Sequence, residues 1–305
     1  MQVSSEKIER KGRWLRNASS TFTAIRFLAP AILVMGVIIL FPLINAARLS
    51  FFNYELTKPK EIAFNLFKNY SYMVKDKIFW QALKNTVVFT FFTVVSGLFL
   101  GLILALVIYE LPRRFHGLRG VFLIPWVIPG IVIGYLFMYM FDVEIGVLNY
   151  VLQQIGVIKE FLPWLMRNNL AMFAIIITHV WNQTPFYMLM ITAGLMAIPE
   201  EAREASYLEG ANRWQEFRYI TFPYLQEIIV ISSLLMVIRN FNFFPIIFTM
   251  TGGGPAYATT TAVLYIYRLA FERFDMGYAS AVGTFWVIIL IIVSALYIRT
   301  LKERF

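Results

Sequence analysis

The sequence contains no cysteine. That excludes a disulfide framework, a thiolate metal site and a thiol nucleophile. Histidine is nearly absent too: only His116 and His179 occur, which leaves little for a histidine-based metal centre. Charge is scarce, 15% of 305 residues, against about 25% in an ordinary soluble protein. Acidic residues are the scarcer sign, 18 against 27 Lys and Arg, and the formal charge is +9. No Gly-Lys-Ser/Thr phosphate loop occurs anywhere, so the chain carries no Walker-type nucleotide motif.

What fills the sequence is apolar surface. Hydrophobic residues make up 59%, and the mean hydropathy is +0.66. A compact soluble fold cannot hide that much, so the excess must face lipid. Lys and Arg lie between apolar runs, which points to charge that orients helices against anionic lipid, not to a nucleic-acid footprint. Six runs approach the roughly 20 residues that a spanning helix needs. They are 27–47, 86–109, 121–141, 171–198, 228–250 and 279–298. The expected fold class is therefore all-α, a polytopic membrane protein with six transmembrane helices. Pro125 and Pro129 fall in the third run and Pro185 in the fourth; prolines are tolerated where neighbours satisfy the freed carbonyls. The first run is too long for a signal-peptide core and follows a long tail with Arg10, Lys11, Arg13 and Arg16. It is expected to remain uncleaved.

Orientation follows from basic residues. Arg113, Arg114 and Arg119 crowd one short loop, and Arg299, Lys302 and Arg304 follow the last run. Both termini are thus expected in the cytosol, although Lys58, Lys60, Lys68, Lys75 and Lys77 weaken the bias. Between Asn65 and Lys84, aromatics alternate with lysines. Such a segment can lie at the membrane interface or pack on the bundle as a loop.

The stretch from Ile198 to Pro223 is the most informative. Pro199 suits a helix start, Glu200 and Glu201 suit its positive end, and Gly210 suits the left-handed position that stops it. A charged helix between two spans is too polar for lipid and should dock on something in the cytosol. Glu204-Ala205-Ser206-Tyr207-Leu208-Glu209-Gly210-Ala211, followed by Trp214, Phe217, Ile220 and Pro223, resembles the EAA loop of ABC-importer permeases. Ser206 replaces the motif's second Ala and Phe222 its Leu. Asn240-Phe241-Asn242, then Thr251-Gly252-Gly253-Gly254-Pro255 and Tyr265-Ile266-Tyr267, resemble the first permease subunit of carbohydrate importers.

The resemblance implies the type I ABC-importer permease fold. It divides the chain into a cytoplasmic tail (1–26), a permease domain (27–298) with an EAA coupling loop at 199–223, and a second tail (299–305). Glu204, Ala205, Ser206, Glu209, Gly210 and Ala211 would couple to an ATPase. Implied partners are a second permease, two ATPase subunits that hold ATP and Mg, an external solute-binding protein, a sugar and membrane lipid. The chain itself would bind no cofactor and catalyse nothing, in a bacterial or archaeal plasma membrane. A secondary transporter or channel without an ATPase would also fit six spans, but it leaves the EAA-like loop unexplained.

Within the membrane, Arg239 stands about halfway along the fifth run, where a charge costs roughly 2.5–3.5 kcal/mol on insertion scales. Asn240 and Asn242 lie nearby. His179, Asn182 and Gln183 share one face of the fourth run, and Pro185 removes a hydrogen bond from the carbonyl of Trp181. Sugars bind through hydroxyl hydrogen bonds and aromatic stacking, so the set Arg239, Asn240, Asn242, Asn182, Gln183 and Trp181 is suited to a substrate pathway. Hydrogen bonding between helices is the competing role. The Gly252-Gly253-Gly254 run is followed by Pro255, with no lysine near, so it is expected to be a tight outer turn.

The absence of cysteine makes the topology directly testable. A single cysteine at Asn212 should be labelled only from the cytosol, and one at Ala258 only from outside. The reverse pattern would overturn the orientation.

Overall fold

The computed structural model describes residues 26–58, 60, 62–112 and 117–302. Residues 1–25, Arg113, Arg114, His116 and Arg304 lie outside them, so the terminal and loop charges used for orientation are largely beyond this description. The described chain is almost wholly helical. Helix α1 covers Arg26–Leu49; a two-stranded pair follows, β1 (Phe52–Asn53) antiparallel to β2 (Ala63–Phe64). Then come α2 (Lys68–Lys75), α3 (Lys77–Glu110), α4 (Leu118–Val127), α5 (Gly130–Met140), α6 (Val147–Gln154) and α7 (Asn168–Met196). After these stand α8 (Glu200–Leu208), α9 (Arg213–Phe241), α10 (Pro245–Thr251), α11 (Ala262–Tyr267) and α12 (Met276–Lys302).

Four of these are long and apolar enough to cross a membrane alone: α1, α3, α9 and α12. The bent pair α4 and α5 would make a fifth. Helix α7 has 29 residues, but His179, Asn182 and Gln183 dilute its apolar character. Six crossings are thus matched only when the bent pair and α7 are both counted.

Two expected spans prove to be broken. The third turns by 95° between Val127 and Gly130. Pro129 forces Ile128 out of the helical region, to ψ 131, because its ring crowds the preceding residue. The fifth ends at Phe241, and Pro245 opens a separate helix. The second span, by contrast, begins earlier than hydropathy indicates. Asp76 caps α3 by accepting from the Ile78 amide at 2.8 Å, which satisfies a donor that the helix cannot.

Helix α3 packs along α7, and α5 packs on α10. The segment 65–84 packs on the bundle, one of the two roles expected of it, with one face left exposed. Met73 is buried and Asn69 donates to the Ser50 and Phe52 carbonyls at 2.8 and 3.0 Å, while Phe67, Tyr72 and Trp80 stay exposed beside lysines. The glycine run is a closed turn: Gly252 and Gly253 have φ of 56° and 91°, and Thr259 and Thr260 donate to the carbonyls of Gly254 and Gly253 at 2.7 and 2.8 Å. The Gly253 and Gly254 carbonyls face threonines and the Gly252 carbonyl accepts from Arg268, and nothing there is arranged like a phosphate cradle. Nearby, Asp76 accepts from Tyr265 and, at 2.6 Å, from Tyr278. Burial pushes the Asp76 carboxyl up, yet these bonds and the Ile78 and Phe79 amides outweigh it and hold it below its usual value.

The contact between α3 and α7 depends on glycine. A Cβ at Gly101 would lie 2.4 Å from the Tyr187 Cβ and 3.0 Å from the Met188 amide. Overpacking of this kind costs about 1–3 kcal/mol. Gly101→Val should therefore lower the melting temperature of the detergent-purified protein clearly. Gly36→Ala, with open space around it, should not.

Candidate functional site

Helix α8 lies between α7 and α9 and carries the EAA-like residues. Pro199 precedes it, and Glu200 and Glu201 occupy its first turn, where negative charge complements the exposed amides. Its exit is a Schellman turn. Gly210 has φ 77°, its amide bonds to the Tyr207 carbonyl at 3.0 Å, and the Ala211 amide reaches the Ser206 carbonyl at 2.9 Å. A residue with a Cβ is strained in that conformation. Asn212 then starts α9 with a capping box: it accepts from the Gln215 amide at 3.0 Å, and its own amide donates to Gln215 Oε1 at 2.8 Å. The loop expected to continue to Pro223 is in fact helical from Arg213.

One side of α8 turns inward. Ser206 is buried and donates to the Arg203 carbonyl at 2.7 Å. The Arg203 guanidinium stacks on Tyr109 at 4.6 Å. The other side is open: Glu204 and Ala205 are exposed, and Tyr207 and Leu208 are 65% and 89% exposed. Trp214 and Tyr219 extend this apolar surface. A notch of about 500 Å³ separates α8 from the start of α9. Ala205, Ser206, Glu209, Gly210 and Ala211 line it, whereas Glu204 stands outside. The six expected coupling residues are thus brought together on one short helix-and-turn unit.

The expected pathway residues divide into two groups. Asn240 is buried and central: its Oδ1 meets His179 Nε2 at 2.9 Å, and its Nδ2 donates to Thr93 Oγ1 at 2.9 Å and Gln183 Oε1 at 3.1 Å. Gln183 donates onward to the Thr93 carbonyl. Asn182 donates to the Pro125 carbonyl at 2.7 Å. That carbonyl would ordinarily receive the amide of residue 129, but Pro129 has none. These three side chains therefore tie helices together, the competing role. Arg239, Asn242 and Trp181 are exposed instead, and Asn242 bonds to its own helix at the Ile238 carbonyl, 3.0 Å away. Trp181 alone of the six lines a groove of about 1140 Å³ between α3 and α7, with Lys84, Phe92, Phe122 and Phe173. The sequence reading missed Thr93; a threonine inside an apolar run gives no signal until its partner helix is known. Among the described residues no group of three His, Asp or Glu is placed to hold a metal ion.

A short helix with one face docked and the other bare, set between membrane helices, defines a component built to work with a partner protein. Residues 97–305 match the family described as binding-protein-dependent transport system inner membrane component, and the chain belongs to it. It is 36% identical, over 100% of its length and 98% of the relative's, to the sulfoquinovosyl glycerol transport system permease protein of Agrobacterium fabrum. It is 32% identical, over 90% of its length and 92% of the relative's, to the trehalose/maltose transport system permease protein of Thermococcus litoralis. Its fold matches, with a TM-score of 0.81 at 20% identity, a chain in the crystal structure of a bacterial ABC transporter involved in import of the acidic polysaccharide alginate. That match covers 95% of this chain and 99% of the other. The chain is a permease component and not itself an ATPase.

The buried cluster makes a stability prediction. Asn240→Leu strands His179 and Gln183, and each buried polar group left alone costs about 1–3 kcal/mol. The melting temperature should fall, whereas Asn242→Ala should leave it near the wild-type value. Equal effects would show that Asn240 does not organise the cluster.

Proposed function

We propose that this chain is the membrane permease subunit of an ATP-driven importer that moves a sugar or sugar derivative by alternating access. It pairs with a second, homologous permease and with two ATPase subunits that bind ATP and Mg. An external solute-binding protein delivers the substrate. The chain crosses the membrane six times with both termini in the cytosol, its permease domain running over 27–298 between tails 1–26 and 299–305. The single observation that carries this reading is α8, a polar helix that offers Tyr207, Leu208 and Glu204 to a partner while Arg203, stacked on Tyr109, holds it to the bundle. The sugar assignment rests on the relatives, the sulfoquinovosyl glycerol and trehalose/maltose permeases. A transporter without an ATPase would have no use for such a face.

In this scheme the ATPase grips Glu204 and the notch lined by Glu209, Gly210 and Ala211. ATP closes the ATPase dimer, α8 moves with it and the spans open outward; hydrolysis restores the inward-facing state. Arg239, Trp181 and Asn242 are the pathway candidates, because they remain exposed. Asn240, Gln183 and Asn182 hold the helices that present them.

The test is reconstitution with the partner subunits in proteoliposomes. Truncating one member of an interfacial charge pair costs about 2–5 kcal/mol, much of it from the stranded partner. Glu204→Lys and Gly210→Val should each cut uptake at least tenfold, together with hydrolysis stimulated by the loaded binding protein. Lys68→Ala, exposed and on the far segment, is the control. In the same assay Arg239→Ala should lower uptake while the ATPase still co-purifies. Full stimulated hydrolysis and full uptake in both loop variants would remove α8 from the coupling role.

A further inference from the structure

Helix α8 is reached by three routes. Helices α7 and α9 reach it through the chain itself, across Ala197–Pro199 and across the Gly210 turn. Helix α3 reaches it only through side chains. The Arg203 guanidinium lies over the Tyr109 ring at 4.6 Å, and its Nε is buried without a hydrogen-bond partner. The contact is therefore a stacking contact at that nitrogen and not a carboxylate fork. The next residue of α3, Glu110, meets Arg213 at 3.4 Å; both side chains are largely exposed, so this pair adds little. Arg203 and Arg213 stand on opposite sides of the Gly210 turn. The whole helix-and-turn unit is thus held against one end of α3.

The other end of α3 holds a different segment. Asn85 is 5% exposed and donates to the carbonyls of Tyr257 and Thr260, both at 2.9 Å. Thr86 Oγ1 accepts from the Ala262 amide at 2.9 Å. The loop they hold is internally tied by the Thr251–Thr259 hydroxyl pair at 2.7 Å and by the Thr260 bond to Gly253, so it moves as one piece. Ala256 and Ala258 of this loop stand at the mouth of the large groove, beside Lys84.

Between the two grips runs an unbroken helix. Lys77–Glu110 contains no proline, and at 1.5 Å per residue Asn85 and Tyr109 are separated by about 36 Å. The spans made of α4 and α5, and of α9 and α10, are interrupted at Pro129 and Pro245. An interrupted helix can absorb a displacement at its break; a continuous one passes it on.

We propose that α3 is a strut that carries movement of α8 to loop 252–261 at the opposite end of the bundle, with Arg203 and Tyr109 as positioning residues at one grip and Asn85 at the other. This rests on the importer reading, because it is the ATPase that moves α8. The strut couples the ATP cycle to the mouth of the groove through side chains alone, so it can be cut without breaking the chain.

The experiment uses the complete importer with its co-purifying ATPase, in nanodiscs. The chain lacks cysteine, so a pair of spin labels can be placed in one molecule, at Ala256 and Ile145, both exposed. The distance between them is measured with and without ATP, Mg and vanadate. In the otherwise wild-type protein the distance should change on trapping. Tyr109→Leu and Arg203→Gln should keep ATPase stoichiometry and basal hydrolysis but lose that change and at least tenfold in uptake. Tyr109→Phe, which keeps the aromatic face, should behave as wild type. Asn85→Ala should uncouple the loop in the same way without touching the ATPase end. The proposal is overturned if Tyr109→Leu and Asn85→Ala retain the distance change. It is also overturned if Tyr109→Leu loses the ATPase itself, since the residue would then serve docking. If no ATPase accompanies even the unsubstituted protein, the importer reading falls and the strut with it.

Discussion

In the core of a bilayer, water does not satisfy backbone amides and carbonyls, so the protein must. Two breaks among the described membrane helices are organised by that requirement. Pro129 breaks one span and deprives the Pro125 carbonyl of its donor; Asn182, from α7, supplies one at 2.7 Å. Pro245 breaks another span, and the halves beyond the two breaks, α5 and α10, pack on each other. The polar side chains in the apolar helices thereby acquire structural duties. Asn240 holds α9 to α7 through His179 and Gln183, and to α3 through Thr93.

The α8 unit follows a different logic. Helix α8 is short and charged, and an isolated helix of that length is unstable in water. It persists because both ends are closed, by Pro199 and the acidic first turn on one side and by the Gly210 turn on the other. Arg203 then anchors it. Rigidity without burial leaves a helix whose apolar surface is available in a defined orientation, which reduces the ordering cost of binding a partner.

Much of this was legible in the sequence, and for identifiable reasons. The α8 unit is encoded locally: cap, acidic turn, glycine stop and motif all lie within one stretch, and the helix Glu200–Leu208 with its left-handed Gly210 came out as expected. Apolar runs located the membrane helices. Their ends were less accessible, because Asp76 extends α3 well past the apolar run and Pro129 and Pro245 cut helices that hydropathy treats as continuous. The polar set was recognised residue by residue but not sorted. Whether Asn240 faces a pathway or a neighbouring helix depends on Thr93, 147 positions away in sequence, and no local pattern records that distance.

Helix α1 adds one more consequence. No residue in its most apolar window is buried within the chain, and it touches the remainder mainly at α12. Lipid is an undemanding neighbour that rewards hydrophobicity and is indifferent to shape. Tyr187, which packs so closely on Gly101 that an added Cβ would lie 2.4 Å from its own, is the opposite kind of neighbour. Two regimes of sequence constraint therefore coexist in one chain. In α1, drift among Ile, Leu, Val and Phe is nearly free; along the seam of α3 and α7 a single methyl group is contested. Homologues should diverge faster along α1 than along the seam of α3 and α7, although the most apolar windows of α1 and α3 have the same mean hydropathy, 2.7.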